Sequence, residues 1–300
     1  LHAFLWDRLA AKGISYRNYG FFLNGLSGNP PAQPLPSSMP GLAGHTDLLY
    51  SGWDLDLPDV ERLKEWLREF REFEAKGEMP TVQFVYLPRD HTVGTATGAY
   101  APSAMVADND LALGQLVEAV SHSRFWADTA IFVVEDDAQD GPAHVDGHRT
   151  VALVVSPYTQ TGKVDSTRYS TASMLRTMEL IVGVEPLTQY DALARPMRRS
   201  FTRHPDFRPY EARRTMASQT AQNPSDAPLA RESSRLDFSR PDAADSRLLN
   251  EAIWRSVRGA GSRMPRFPRS GRECAPSRET RSPASSCSSA SAWPGRGSGA

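Results

Sequence analysis

Acidic and histidine side chains crowd one short stretch of the chain, FVVEDDAQDGPAHVDGHR at residues 132–149. Its ionisable side chains, apart from the final arginine, are Glu135, Asp136, Asp137, Asp140, His144, Asp146 and His148. Carboxylates at such short range raise one another's pKa and destabilise the fold unless a cation lies among them. Carboxylate oxygens with imidazole nitrogens suit Zn²⁺, Mn²⁺ or Fe, and suit Ca²⁺ or Mg²⁺ less well. The stretch therefore predicts a divalent metal site, with a solvated acidic loop as the alternative.

A second charged motif, LPRDHTVGT at residues 87–95, stands in the same position relative to a strand. Asp90 and His91 follow an apolar run, just as Glu135 follows the apolar run AIFVV. In open α/β sheets, ligands bind outside the carboxyl ends of the strands. We therefore expect the two motifs to converge on one site.

Other polar side chains near these motifs have weaker patterns. Thr92 is a candidate hydroxyl nucleophile beside His91, although a role in a turn is favoured. Arg149 either pairs with the acidic residues or binds an anionic substrate. His122, at a predicted helix end, is expected to be structural, and His45 and His204 are expected to be exposed in loops.

The elements that must position these motifs follow from hydrophobic periodicity. Helices are predicted at 2–12, 57–77, 103–123, 170–183 and 247–257. Nearly all-apolar strands are predicted at 80–88, 129–135 and 150–158, and residues 24–47 are predicted to form a long surface loop. Apolar strands alternating with helices indicate an α/β fold with a largely parallel sheet sandwiched by helices.

Composition narrows the function classes. The formal net charge of −1 provides no global attraction to nucleic acid or an anionic membrane. No apolar run approaches the roughly 18–20 residues that span a bilayer. Both cysteines, Cys274 and Cys287, fall near the C-terminus, which excludes a cysteine-ligated metal or a disulfide in the predicted folded part.

Three regions are predicted along the chain. Residues 1–215 form the main domain, 216–258 a polar extension with one short helix, and 259–300 a disordered tail rich in Arg, Ser, Gly and Pro. Nucleic-acid binding by the tail is disfavoured because no aromatic platform accompanies it. A frameshifted end of a GC-rich gene is an alternative origin, and the initial Leu1 leads us to expect that the natural start lies upstream.

Four motifs together resemble a known family: LPRDHTVGTATG, the long segment ending in EDDAQDGPAHVDGHR, VVSPYTQTG and YSTASMLRTMEL. In order and spacing, residues 1–257 are similar to the C-terminal half of the phosphoesterase branch of the alkaline phosphatase superfamily. In bacterial relatives this domain often follows a β-propeller. The resemblance implies a periplasmic or secreted, metal-dependent hydrolase that acts on small phosphate esters through a Ser or Thr nucleophile on the metal.

The resemblance also implies roles for individual residues. The metal ligands would be Asp136, Asp137 and His144, with Asp90 and His148 as further candidates. His91 would bind metal or protonate the leaving oxygen, and Asp90 would otherwise orient His91. Arg149 remains the candidate substrate-binding residue.

The chain departs from the family pattern at several points. Ala143 stands where an acid is expected in DGPDHVD, and Phe21 stands where Glu is expected. The family's first metal ligands and nucleophile are not found in the chain. We therefore expect a fragment with half of the site, and the alternative function is an inactive or degenerate binding domain on the same scaffold.

Overall fold

A computed structural model describes residues 4–23, 37–135 and 150–264 of the chain. The predicted site residues Asp136, Asp137, His144, His148 and Arg149 lie outside the described residues, as do 265–300 of the predicted tail. The division into a main domain, an extension and a tail stays a prediction.

Helices and short strands alternate through the described residues. The α-helices are α1 (Leu5–Ala11), α2 (Asp59–Lys76), α3 (Pro102–Ser121), α4 (Thr171–Val182), α5 (Gln189–Leu193), α6 (Ala230–Ser233) and α7 (Ser246–Arg258). The strands are β1 (Tyr16–Tyr19), β2 (Val82–Val85), β3 (Ile131–Val134) and β4 (Ala152–Val155). The five helices predicted from periodicity are all present, each within a few residues of its predicted bounds, and the mixed α/β class is confirmed.

The strands pair in two different ways. β1 and β2 are parallel, with Tyr16 opposite Val82, and α2 lies between them in the chain. Parallel neighbours need such a crossover because both strands run in the same direction. β3 and β4 are antiparallel, with Ile131 opposite Val155. One larger, mostly parallel sheet is therefore not seen in the described parts and stays a prediction.

The main hydrophobic core forms where α2 packs on α3. Leu63, Trp66 and Phe70 follow one another at helical spacing and are all buried. They meet the buried face of α3 around Leu116, while Trp66 Nε1 donates to Gln83 Oε1 of β2 at 2.8 Å. α2 ends where Gly77 adopts φ +76°, a left-handed conformation that glycine takes without a Cβ clash.

The prediction of a surface loop over 24–47 is wrong for part of its described portion. Leu42 is fully buried beside α1, and Asp47 is also buried. The backbone explains this burial. The N–H of Asn18 in β1 donates to the carbonyl oxygen of His45, and the carbonyl oxygen of Asn18 accepts from the N–H of Asp47, each at 2.8 Å. Composition suggested a loop, but pairing alongside β1 draws the segment inward.

A buried ion network joins α2, α3 and the turn after β2. Asp59 begins α2, is fully buried, and pairs with the buried guanidinium of Arg62. Its Oδ2 accepts hydrogen bonds from the backbone N–H of Arg89 at 3.0 Å and from Asn109 Nδ2 at 2.9 Å. Burial raises the pKa of Asp59, and these three donors oppose that rise.

Asp108 of α3 closes the network on its other side. Its Oδ2 accepts from the N–H of Asp59 at 2.6 Å and lies 2.9 Å from Arg89 Nη1. Asp108 therefore satisfies a free N–H at the start of α2 and neutralises a buried arginine. The guanidinium of Arg89 also lies 4.5 Å from the ring centroid of Tyr100.

A second buried carboxyl pair links α4 to α5. Glu179 of α4 is fully buried, and burial together with a hydrogen bond to Asp191 raises its pKa to about 7. Although burial acts in the opposite direction, hydrogen bonds from Thr188, Glu179 and Leu187 lower the pKa of Asp191 to about 2. The pair therefore holds one proton on Glu179 at mildly acidic pH.

None of the helices in the described ranges is long and apolar enough to cross a membrane.

Replacing Asp59 with Ala should lower the free energy of unfolding by about 3–5 kcal/mol, since Arg62 and Arg89 lose a buried acceptor. Urea denaturation measures this change. Asp56→Ala is the matched control, because Asp56 is exposed nearby and its loss should cost less than about 0.5 kcal/mol. A loss below about 1 kcal/mol for Asp59→Ala would contradict the network's role.

The Glu179–Asp191 pair should make stability depend on pH. The pKa of Glu179 is raised in the folded state, so its contribution to stability is complete below the ordinary glutamate pKa of 4.5 and is lost as the pH rises towards about 7. The wild type should lose up to about 1.4 kcal/mol per pH unit in that window relative to Glu179→Gln, which cannot ionise. Thermal denaturation across that window compares the two, with Glu185→Gln, at an exposed position, as the control. Parallel pH curves for the wild type and Glu179→Gln would refute the shared proton.

Candidate active site

An open cleft of about 590 Å³ brings together residues from both sequence motifs. Asp90, His91 and Thr92 line it from the turn after β2, and Glu135 lines it from the end of β3. Asp136, the first of the predicted metal ligands, is the next residue in the chain. The described residues therefore place the ends of the two predicted strands at one cleft.

The geometry of the His91 ring identifies its proton-bearing nitrogen. Nδ1 lies 2.9 Å from the carbonyl oxygen of Thr92, which can only accept a hydrogen bond. Nδ1 therefore carries the hydrogen in the neutral ring, and Nε2 keeps the lone pair. A nitrogen in that state can bind a cation or receive a proton.

Two aromatic rings hold His91 edge-on. The centroid of Trp53 lies 4.9 Å from that of His91, and the centroid of Phe238 lies 5.9 Å away. Trp53 Nε1 donates to the carbonyl oxygen of Phe238 at 2.9 Å, and this hydrogen bond links the two aromatic residues to each other. The imidazole is thus fixed in orientation by residues far from it in the chain.

Thr92 has the turn role that the sequence favoured over a nucleophilic one. Its side chain is buried, and its hydroxyl accepts the N–H of Gly94 at 3.4 Å. Its φ of +63° is one that β-branched residues rarely adopt, at a cost of about 1–3 kcal/mol. Such strain persists only where the surroundings determine the backbone, and here they hold the turn next to His91.

The inner side of this turn is anchored by the buried ion network. Arg89, the first residue of the 3₁₀ turn Arg89–His91, binds Asp59 through its N–H and Asp108 through its guanidinium. Asp90 and His91, the next two residues, line the cleft. The network therefore determines where the cleft side chains lie.

The following loop is held by the C-terminal part of the chain. Asn223 Nδ2 lies 3.2 Å from the carbonyl oxygens of Gly94 and Ala96 and 3.3 Å from that of Tyr100. The hydroxyl of Thr95 lies 3.0 Å from that of Ser233. We call these contacts of Asn223 and Ser233 with the loop after His91 the clasp. The sequence pattern did not identify the clasp, because residues 217–247 show only a polar composition.

Gly94 shows how closely the clasp packs. It adopts φ +71°, and a Cβ there would lie 3.0 Å from Ser233 Oγ and 3.3 Å from Leu249 Cδ1. The approach of α6 and α7 to the loop therefore requires glycine at this position.

Metal binding by the described residues alone finds no support in the geometry. Within residues 4–23, 37–135 and 150–264, no group of three or more His, Cys, Asp or Glu side chains could hold an ion. Asp90, His91 and Glu135 nevertheless supply carboxylate and imidazole donors to the same cleft. These donors suit a metal only if others join them, and the predicted ligands Asp136, Asp137, His144 and His148 lie outside the described residues.

Among the described histidines, His122 and His45 contact structural partners, and His204 is exposed as predicted. His122 caps the end of α3 with Nδ1 2.9 Å from the carbonyl oxygen of Glu118. That hydrogen bond, followed by the carboxylate of Glu211, raises the pKa of His122. His45 stacks on Tyr16 at a centroid distance of 4.0 Å and is half-buried, so the prediction of an exposed loop histidine is wrong there.

Comparison with known proteins agrees with the motifs. The family model described as the Phosphoesterase family matches residues 2–185. This range contains the helices α1 to α4, the strands β1 to β4, both motifs and every predicted site residue. A search of curated proteins finds no match to this chain. Because the match covers more than half of the 300 residues, the chain belongs to the Phosphoesterase family.

Proposed function

We propose that this chain carries part of the active site of a metal-dependent phosphoesterase, which hydrolyses small phosphate esters. Membership of the Phosphoesterase family supports phosphoester hydrolysis at a coarse level. The observation that carries the proposal is the shared cleft, which is lined by Asp90 and His91 and also by Glu135, where the acidic stretch begins. The proposal includes the larger parallel sheet of the alkaline phosphatase superfamily, of which β1 and β2 would be one pair.

The metal would be held by Asp136, Asp137 and His144, with Asp90 and His148 as further ligands. Zn²⁺ or Mn²⁺ suits this mixture of carboxylate and imidazole donors better than Ca²⁺ or Mg²⁺. When bound, a divalent ion neutralises phosphoryl oxygens and activates a hydroxyl nucleophile. A cation would also remove the repulsion among carboxylates that begins at Glu135.

His91 and Arg149 have complementary roles in the proposal. With its hydrogen on Nδ1, His91 keeps Nε2 as the atom that binds the cation or exchanges a proton with the leaving oxygen. Trp53 and Phe238 keep the ring in that orientation. Arg149 would bind a phosphoryl oxygen, for which a guanidinium is well suited.

A degenerate binding domain is the competing function, and two sequence features favour it. Ala143 removes a carboxylate from the expected pattern, and the family's nucleophile motif is not found among these residues. Metal binding alone would fit both functions, whereas hydrolysis fits only the enzyme.

The chain should bind Mn²⁺ or Zn²⁺, and Asp137→Ala should weaken that binding by at least about tenfold because a ligand carboxylate is lost. Equilibrium dialysis with metal analysis measures the affinity. Asp128→Ala is the matched control, since Asp128 is exposed just before the opposite end of β3 and should leave affinity unchanged. Equal affinities for the wild type and Asp137→Ala would contradict the proposed ligand set.

In the complete gene product, His91→Ala should reduce kcat for bis-p-nitrophenyl phosphate by about 100-fold or more, the usual effect of removing an acid–base group. Release of p-nitrophenolate in the presence of Mn²⁺ measures the rate. His122→Ala should retain wild-type activity, because His122 lies at the end of α3 and not among the cleft-lining residues. A metal-loaded protein that hydrolyses neither p-nitrophenyl phosphate nor its diester would favour the binding domain.

A further inference from the structure

The cleft has an apolar wall beside its charged end. Pro102, Val106 and Ala107 of α3 line it together with Ile253 and Val257 of α7. The same two helices also bring the polar side chains of Ser103, Asp110 and Asn250 to the cleft. Val106 is 46% exposed and Val257 is 65% exposed, so these side chains present apolar surface to the cleft instead of filling the core. The charged residues Asp90, His91 and Glu135 belong to the same cleft.

The helix α7 is firmly attached even though one of its faces is left open. Leu249 and Ala252 are buried on its inner face, and Asp245 Oδ1 accepts the N–H of Leu248 at 3.0 Å to cap its start. Leu249 packs beside Gly94, three residues after His91. The positions of Ile253 and Val257 are therefore set relative to the same loop that carries His91.

Only the α3 side of this wall lies in the region that the family model describes, and the α7 side lies outside it. The match ends at residue 185, whereas α7 spans Ser246–Arg258 and the ring of Phe238 lies against His91. The chemistry and the α7 side of the wall thus come from different parts of the chain. An element that borders the reacting end without belonging to the family pattern is well placed to select substrates.

We propose that this wall binds the alkyl or aryl group of the substrate, so that the substrates are phosphate esters of apolar alcohols or phenols. The proposal rests on the phosphoesterase function argued above. The phosphoryl group lies at the end of the cleft that borders the proposed metal ligands, where a bound cation would offset the carboxylates of Asp90 and Glu135. The hydrocarbon is removed from water against Val106, Ile253 and Val257. The hydroxyl groups of a polyhydroxy alcohol would gain no hydrogen bond from Val106, Ile253 or Val257. The volume of about 590 Å³ is within the range of small-molecule sites.

The test measures binding of non-hydrolysable alkylphosphonates to the full chain by calorimetry in the presence of Mn²⁺. Inorganic phosphate and methylphosphonate report the charged end alone, and propyl-, butyl- and phenylphosphonate add apolar surface. Each added methylene should strengthen binding about twofold, half of the full burial effect because the wall is open on one side. Butylphosphonate should therefore bind about eightfold more tightly than methylphosphonate.

Ile253→Ser and Val257→Ser should flatten this dependence on chain length while leaving the affinity for methylphosphonate unchanged. Ile181→Ser on α4 is the matched control, since Ile181 is 58% exposed and does not line the cleft. Circular dichroism verifies that each variant is folded.

Each outcome separates this proposal from the function on which it rests. A chain-length effect that is lost in the α7 variants and kept in Ile181→Ser supports the wall. Binding of inorganic phosphate without any chain-length effect, or an effect unchanged in the α7 variants, overturns the wall and leaves phosphoester binding intact. If neither phosphate nor any phosphonate binds, the phosphoryl site fails and the wall's role fails with it.

Discussion

The buried ion network of Asp59, Arg62, Arg89 and Asp108 is the constraint on which the described architecture depends. It lies where α2 begins, where α3 passes and where the chain turns after β2. Each charge is buried, so none can be removed without leaving its partner uncompensated in a medium of low polarity. The network therefore permits essentially one relative placement of the two helices and the turn. Asp90 and His91 belong to that turn, so the network also fixes their positions.

The cleft is composite, and its parts come from separate stretches of the chain. The family region supplies the donor side chains and the strand ends that bring them together. The region after residue 185 supplies Asn223, Ser233 and Phe238, which hold the loop around His91, and α7, which forms one side of the apolar wall. This division matches the usual separation between a group that reacts and a surface that selects what reacts.

The sequence predicted the helices well because their signals are local. α2 and α4 combine apolar residues at helical spacing with a glycine that ends each helix in a left-handed conformation. The strands were predicted at the correct places but too long, since an apolar run does not show where a partner strand ends. Parallel or antiparallel pairing, as in β3 with β4, depends on the neighbour and carries no signal in the run itself. The buried position of Leu42 was missed for the same reason, because its segment is drawn inward by hydrogen bonds to β1.

For the site, the sequence by itself determined which functional groups are present. They are an acidic stretch with histidines and a DHT motif, and each follows directly after a predicted strand. The sequence shows the residue types and places each motif directly after an apolar run. On that basis we expected one shared site, and Asp90, His91 and Glu135 do line one cleft. Only the tertiary structure decided which nitrogen of His91 carries the hydrogen, which rings hold the imidazole and which apolar side chains border the same cleft. Trp53, Asn223, Phe238 and Val257 are ordinary residues in ordinary stretches of sequence. Their roles arise from contacts between segments far apart in the chain, and such contacts exist only once the whole chain has packed.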